Sequence, residues 1–239
     1  MGFYNNKVVL VTGGSDGIGK ALVDALLSQG AKVATCARNL DKLYQLQTSH
    51  AGKPLITLSA DVSSETDCKK FIEKVVSVYG TIDILINNAG ISMRALFRET
   101  DLQTLKKVMD INFWGTVYCS KYALPYITKQ KGTIVGVSSI AGYRGLPGRT
   151  AYSASKFAMN GFLESLRTEL IDEGVNVMWV CPGFTASNIR NAALTKDGSS
   201  QGSSPLDEAG LMSSEECAAG IIDAIEKKKK ELRDLEEEL

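Results

Sequence analysis

Six short apolar runs recur along the chain with longer amphipathic segments between them, and this alternation leaves few folds open. The runs are Lys7–Thr12, Lys32–Cys36, Leu55–Ala60, Ile82–Ile86, Thr133–Val137 and Asn176–Val180. Valine-rich stretches of this length suit strands covered on both faces. Helical periodicity fills the gaps at Gly17–Gln29, Leu40–Thr48, Ser64–Tyr79, Leu102–Thr128 and Ala151–Glu173, with a last helix near Ser213–Glu226. Gly30 stands where the first of these would close in a left-handed cap. The pattern predicts an α/β fold: a doubly wound parallel sheet of six to seven strands with helices on both faces. The 239 residues are 44% apolar, enough for one core, so a single domain spanning 1–239 is expected.

Charge removes some classes of partner. Lys+Arg and Asp+Glu both number 27. That balance gives no electrostatic reason to expect nucleic acid or an anionic membrane. No run reaches the 18 or more apolar residues of a membrane span, and the start of the chain lacks the apolar region of a signal peptide. Cys36, Cys68, Cys119, Cys181 and Cys217 are scattered without CxxC spacing, as expected of reduced thiols in a cytoplasmic protein. With one histidine, His50, and no cysteine pairs, a metal site has no signature.

Two segments depart from the rhythm. Residues 196–205 (KDGSSQGSSP) are polar and rich in glycine and serine. They read as a mobile loop over a site, within a substrate-loop region of about 184–212, or as a linker, although only one helix follows. The second is the tail, a charged stretch of about 227–239, which reads as a solvated or frayed end.

The first strand runs into Thr12-Gly-Gly-Ser-Asp-Gly-Ile-Gly19, which opens a helix. Glycines there allow a tight turn and close approach, and free N–H groups at the helix start face an anion. A tight turn without a ligand is the plainer reading of this octapeptide alone. Later features suit the same dinucleotide. Asp61-Val62 ends the third strand, where a carboxylate can meet an adenine edge; Asn87-Asn88-Ala89-Gly90 ends the fourth; Arg38 follows the second. Carboxyl-end turns of an open sheet line one crevice.

Tyr152 and Lys156 stand at i and i+4, on one helix face. An ammonium near a phenol lowers its pKa, and such a tyrosine can exchange a proton with a carbonyl or alcohol oxygen. A helical Tyr/Lys pair with no role is the competing reading. Ser139, at the end of the fifth strand, can hydrogen-bond a reacting oxygen. As a hydrolase nucleophile it fails, because G-x-S-x-G is absent and His50, expected at the surface, falls where no base would be.

With these motifs in order, the chain resembles the short-chain dehydrogenase/reductases, the single-domain class with a T-G-x3-G-x-G turn, over roughly Val8–Gly183. The resemblance implies a cofactor site made by Gly13, Ser15, Asp16, Gly17, Ile18 and Gly19, with Asp61 and Val62 at the adenine and Asn87, Ala89 and Gly90 in the N-N-A-G signature. It implies a catalytic tetrad of Asn112, Ser139, Tyr152 and Lys156. Asn112 carries a proton relay through a bulged carbonyl, and Lys156 also holds the nicotinamide ribose. Pro182-Gly183 matches the turn beside the nicotinamide, and Ser187 replaces the usual threonine.

Carbonyl/alcohol interconversion by hydride transfer is the activity implied, on a small-molecule ketone or aldehyde, by a homodimer or homotetramer. Met93, Arg94, Trp114, Tyr143, Arg144 and Ser187–Leu211 are expected to shape the substrate pocket. In sequence the chain lies near reductases of steroids, acyl chains and ketosphingoid bases. The charged Lys227–Leu239 replaces the family's seventh strand and apolar end, which puts that edge in doubt. A non-catalytic cofactor module is the rival reading, disfavoured by the complete tetrad, and a sugar epimerase or dehydratase needs a longer chain.

The cofactor expected is NADP(H) rather than NAD(H). The aspartate that NAD enzymes use at the end of the second strand is replaced by Ala37. Arg38 follows, with a donor fork suited to a 2′-phosphate, and Asn39 can add a hydrogen bond. Asp16 opposes this, since a carboxylate aimed at the phosphate repels it.

Overall fold

The computed structural model describes residues 2–203 and 210–233. Seven parallel strands form one sheet in the order β3-β2-β1-β4-β5-β6-β7. They are β1 (Val8–Thr12), β2 (Lys32–Ala37), β3 (Leu55–Ser59), β4 (Ile84–Asn87), β5 (Thr133–Val137), β6 (Asn176–Cys181) and β7 (Glu231–Arg233). The helices are α1 (Gly17–Ser28), α2 (Leu40–Ser49), α3 (Glu65–Tyr79), α4 (Leu102–Met109), α5 (Gly115–Gln130), α6 (Thr150–Glu169) and α7 (Ser214–Glu226).

Strand periodicity of two splits each central strand between two cores. Val8 and Leu10 of β1 face α3, α5 and α6, among Phe71, Ile72, Ile127 and Leu163. Val9 and Val11 face α1 and α7, among Leu22, Leu26, Ile221 and Ile225. Burying such side chains on both faces stabilises the sheet by about 1.5–3 kcal/mol each, and it explains why the strands read as continuous apolar runs. The five cysteines are all buried and unbridged. Among the described residues no helix is long and apolar enough to cross a membrane.

Two boundaries differ from expectation for local reasons. The predicted helix Leu102–Thr128 is one helical run that carries a π-helical turn, Asp110–Trp114, between α4 and α5. The helix predicted to Glu173 stops at Glu169, where Glu173 and Gly174 donate to Leu170 and Ile171 in tight turns. The edge strand that charge had put in doubt is present: Glu231, Leu232 and Arg233 pair with Trp179, Val180 and Cys181. Backbone groups supply that pairing, and Leu232 alone among apolar side chains of β7 packs on the core.

Candidate active site

The strand order reverses direction between β1 and β4, which pair side by side, and the chain leaves their carboxyl ends in opposite directions. A crevice at such a point receives ligands in open α/β sheets. Here a cleft of about 330 Å³ opens there, lined by Gly13–Gly19 residues after β1, Arg38 and Lys42 after β2, Asp61 and Val62 after β3, and Ala89 and Gly90 after β4.

The turn after β1 is closely fitted. Gly13 has φ +71°, and a Cβ there would come 2.9 Å from the Ala89 Cα. A side chain on Gly19 would strike the Gly13 carbonyl. Both positions are therefore closed to any other residue, which brings bare backbone to the cleft. Asn88 ties the two turns together, donating from Nδ2 to Thr12 O at 2.9 Å while Thr12 Oγ1 accepts from the Asn88 and Ala89 amides.

Around this cradle the expected side chains fall as follows. Ser15, Asp16, Gly17, Ile18, Arg38, Asn39, Asp61, Val62, Ala89, Gly90 and Ser187 line the cleft. Asn87 does not: it is buried beneath, where its Nδ2 donates to Ser120 Oγ at 3.1 Å. The last residue of β4 points into the sheet-helix interface and its neighbour Asn88 faces the cleft, a distinction of pleat that the sequence leaves open. Asp61 Oδ1 accepts from the Ser63 amide and hydroxyl at 2.9 and 2.7 Å. Arg38 is exposed and Asn39 caps α2, accepting from Lys42 N at 2.9 Å.

Asp16 is less of an obstacle to a phosphate than the sequence suggests. Its carboxylate pairs with Lys42 and accepts from the Gly17 amide at 2.8 Å. Burial raises its pKa, but Lys42 and the Gly17 amide outweigh that and hold it below the usual carboxylate range. Lys42 is a cleft residue that the sequence reading missed. Its signal was the third position after Asn39, one helical turn into α2 and on the same side as the cap.

The tetrad positions meet at the far side of Gly90. A Cβ on Gly90 would lie 3.3 Å from Asn112 Oδ1 and 3.6 Å from Lys156 Nζ. Asn112 sits in the π turn with its side chain fully committed: Oδ1 accepts from Ile91 N at 2.8 Å, while Nδ2 donates to Ile91 O and Ser155 Oγ, both at 2.9 Å. Lys156, from α6, is buried and donates to Val137 O at 2.7 Å. Burial pulls its ammonium down to about 8.

Tyr152 is buried, and burial pushes its phenol above the usual value, opposed by a hydrogen bond with Ser139 and the charge of Arg149. This corrects the expected direction. Lys156 Nζ is turned to the Val137 carbonyl, 5.8 Å from the centre of the Tyr152 ring, and the influences that oppose burial belong to Ser139 and Arg149. A protonated phenol at neutral pH suits a proton donor to a carbonyl. Pro182 and Gly183 follow β6 directly.

Of the residues expected to shape a substrate pocket, Met93 is buried and bridges to Leu194, while Tyr143 accepts from Trp179 Nε1 at 2.6 Å and donates to Glu231. Arg149, three residues before Tyr152, escaped the sequence reading although one helical turn separates the two. His50 caps α2 half-buried and bonds Asp24 at 2.7 Å, away from Ser139's segment.

Comparison with known proteins settles the family. Residues 7–198 match the family model described as short chain dehydrogenase. The chain belongs to the short-chain dehydrogenase/reductase family. It is 35% identical over 238 residues to a mouse protein called dehydrogenase/reductase SDR family member 7B, covering 96% of this chain and 73% of that protein. A peanut protein called 11-beta-hydroxysteroid dehydrogenase A is 41% identical over 187 residues, which are 77% of this chain and 53% of the relative. A Streptomyces avermitilis short-chain dehydrogenase is similar in structure, with a TM-score of 0.86 and 28% identity over 96% of this chain and 88% of its own. Family membership makes this chain an oxidoreductase of the NAD(P)-binding class.

Proposed function

We propose that the chain is an NADP(H)-dependent reductase of ketones or aldehydes, running reversibly to the secondary alcohol. The observation that carries this reading is that Asn112 and Lys156 meet beside Gly90, a residue of the nucleotide cleft, with Lys156 Nζ 5.8 Å from the ring of buried Tyr152 and Ser139 acting on its phenol. Bare glycine backbone at the start of α1 suits a pyrophosphate, and Asp61 has one carboxylate oxygen left for an adenine amine after Ser63 takes the other.

When bound, NADP(H) supplies the hydride. Tyr152 gives its phenolic proton to the substrate oxygen, and Ser139 Oγ donates to that oxygen and steadies its growing charge. The Lys156 ammonium holds the ribose. Asn112 keeps the Ile91 backbone in place and carries the route by which Tyr152 is reprotonated. The experiment is a panel of ketones and aldehydes screened for NADPH oxidation; no consumption with any of them would end the proposal.

Preference for NADP(H) over NAD(H) rests on Arg38. Ala37 removes the usual carboxylate, Arg38 is exposed on the cleft without an ion-pair partner among the described residues, and Lys42 brings a second cation. A charge-assisted contact of about 1.5–3 kcal/mol predicts a tenfold to hundredfold preference in kcat/KM, very roughly. Arg38→Leu should abolish most of it. Equal use of NADH by the wild type, or an unchanged preference in the variant, would defeat the assignment. Assembly as a homodimer or homotetramer is part of the same proposal, supported by Trp114 and Phe157, 42% and 47% exposed beside α5 and on α6.

A further inference from the structure

Arg149 stands beside Tyr152, and two further arginines, Arg94 and Arg190, approach it from separate segments. Arg149 lies just before α6, with its guanidinium carbon 5.9 Å from the centre of the Tyr152 ring. Its Nη1 donates to Ser92 Oγ at 2.9 Å, and Ser92 is buried, so the position of the fork is fixed while its other nitrogens have no hydrogen-bond partner among the described residues. Arg94 comes from the segment after β4. Ala95 N donates to Gly148 O at 3.0 Å, which places Arg94 and Arg149 one residue to either side of that bond. Arg94 N in turn donates to Leu194 O at 2.8 Å. Arg190, buried, lies in the loop after β6 with Nη2 on Thr185 O at 2.9 Å.

This grouping differs from the ion-paired cations of the protein. Lys20, Lys42, Lys106 and Lys227 each pair with an aspartate. Among the described residues, neither Arg94 nor Arg149 has a carboxylate in ion-pair contact. Burial first, and then the charges of Arg94 and Arg190, hold the Arg149 pKa below its usual value. Like charges gathered at a half-buried place disfavour the free protein, and an opposite charge arriving there relieves the repulsion.

We infer that this active site takes an oxo substrate bearing a carboxylate or phosphate, held by Arg94 and Arg149 beside Tyr152. The inference rests on the carbonyl-reductase reading and narrows it. The planar fork of arginine matches either anion, and its closeness to the Tyr152 ring puts the anion within a few bonds of the reacting carbonyl.

The test compares two matched pairs of ketones as substrates with NADPH: a short oxo carboxylate against its methyl ester, and a phosphate monoester of a hydroxyketone against the free hydroxyketone. At least one anion should exceed its neutral partner in kcat/KM by about tenfold to a hundredfold, the worth of a charge-assisted hydrogen bond. The pair that shows the excess names the anion. That ratio should collapse in Arg149→Leu and fall in Arg94→Leu, whose exposed position makes a folding defect a poor explanation. Neutral ketones reduced as well as both anions, or a ratio that survives in Arg149→Leu, would overturn the inference and leave the reductase reading standing. If no ketone consumes NADPH, the reductase reading falls instead. The anion site is then judged by calorimetry of the same carboxylate and phosphate on the NADP-loaded protein: Arg149→Leu must weaken binding about tenfold or more, and equal or absent binding overturns it.

Discussion

Lys156 is held at a cost, and its chemistry sets a pH limit on the enzyme. Its folded pKa is lowered to about 8 by burial, so the ammonium is the disfavoured form. Below that pH the side chain is charged and attracts an anionic cofactor; above it the charge is lost. NADPH affinity should therefore weaken as pH rises from 7 to 9, and Lys156→Arg should flatten the profile. A wild-type dissociation constant that stays constant over that range would contradict this account. Linkage has the matching sign: the unfolded chain keeps its lysine proton to higher pH, so stability from this group rises above about pH 8. Much of the site was legible residue by residue because its motifs are local: Gly13–Gly19, Ser139, Tyr152 and Lys156 each sit at a strand end or one helical turn apart. Lys42 and Arg149 were not, because their meaning lies in the neighbours Asp16 and Tyr152 acquire through folding.

At the scale of elements, the six predicted strands agree with the observed ones to within two residues at each end, since five of them are buried on both faces and read as apolar runs, while β3 is half-buried. The π turn around Asn112 has no periodic signature, so the helix containing it read as uninterrupted. The loop after β6 is where the polar groups of the structure add most to the sequence. Its glycine and serine composition suggested a segment that packing could not hold, and Ser204 and Pro205 of the expected mobile stretch lie outside the described residues. The described part is pinned by polar groups. Asp197 Oδ1 accepts from Thr195 Oγ1 and Ser199 Oγ, both at 2.7 Å, and from Ser199 N at 3.0 Å. Gln201 N donates to Ala193 O and Asp101 N to Lys196 O. These bonds hold the Asp197 carboxyl well below its usual range, so the turn keeps its charge through the ordinary pH range. Asp197→Ala should speed hydrogen exchange at the Thr195 and Ser199 amides by roughly tenfold. Exchange unchanged from wild type would remove Asp197 as the organiser of this loop.

For the whole molecule, the order of seven strands decides where chemistry can occur, because it brings the ends of β1 and β4 together and gathers the tetrad and the cleft on one edge. That order is reached by joining parallel strands through helices, as the alternation of elements already implied. The seventh strand was hidden by its charge. Charged side chains do not prevent backbone pairing at a sheet edge, and β7 is further tied by Glu231, which accepts from Tyr143. Leu232→Ser should lower stability by about 1–2 kcal/mol through lost burial, read as a reduced urea midpoint. An unchanged midpoint would mean that β7 adds nothing to the fold.

The central claim is that Tyr152 hands a proton to a carbonyl within an intact cofactor site. Turnover of a verified ketone and NADPH affinity, measured side by side in wild type and Tyr152→Phe, test it most directly. The account predicts that kcat falls by about 10² to 10⁴ or more while the dissociation constant for NADPH stays close to wild type. A variant that keeps the wild-type kcat would contradict it.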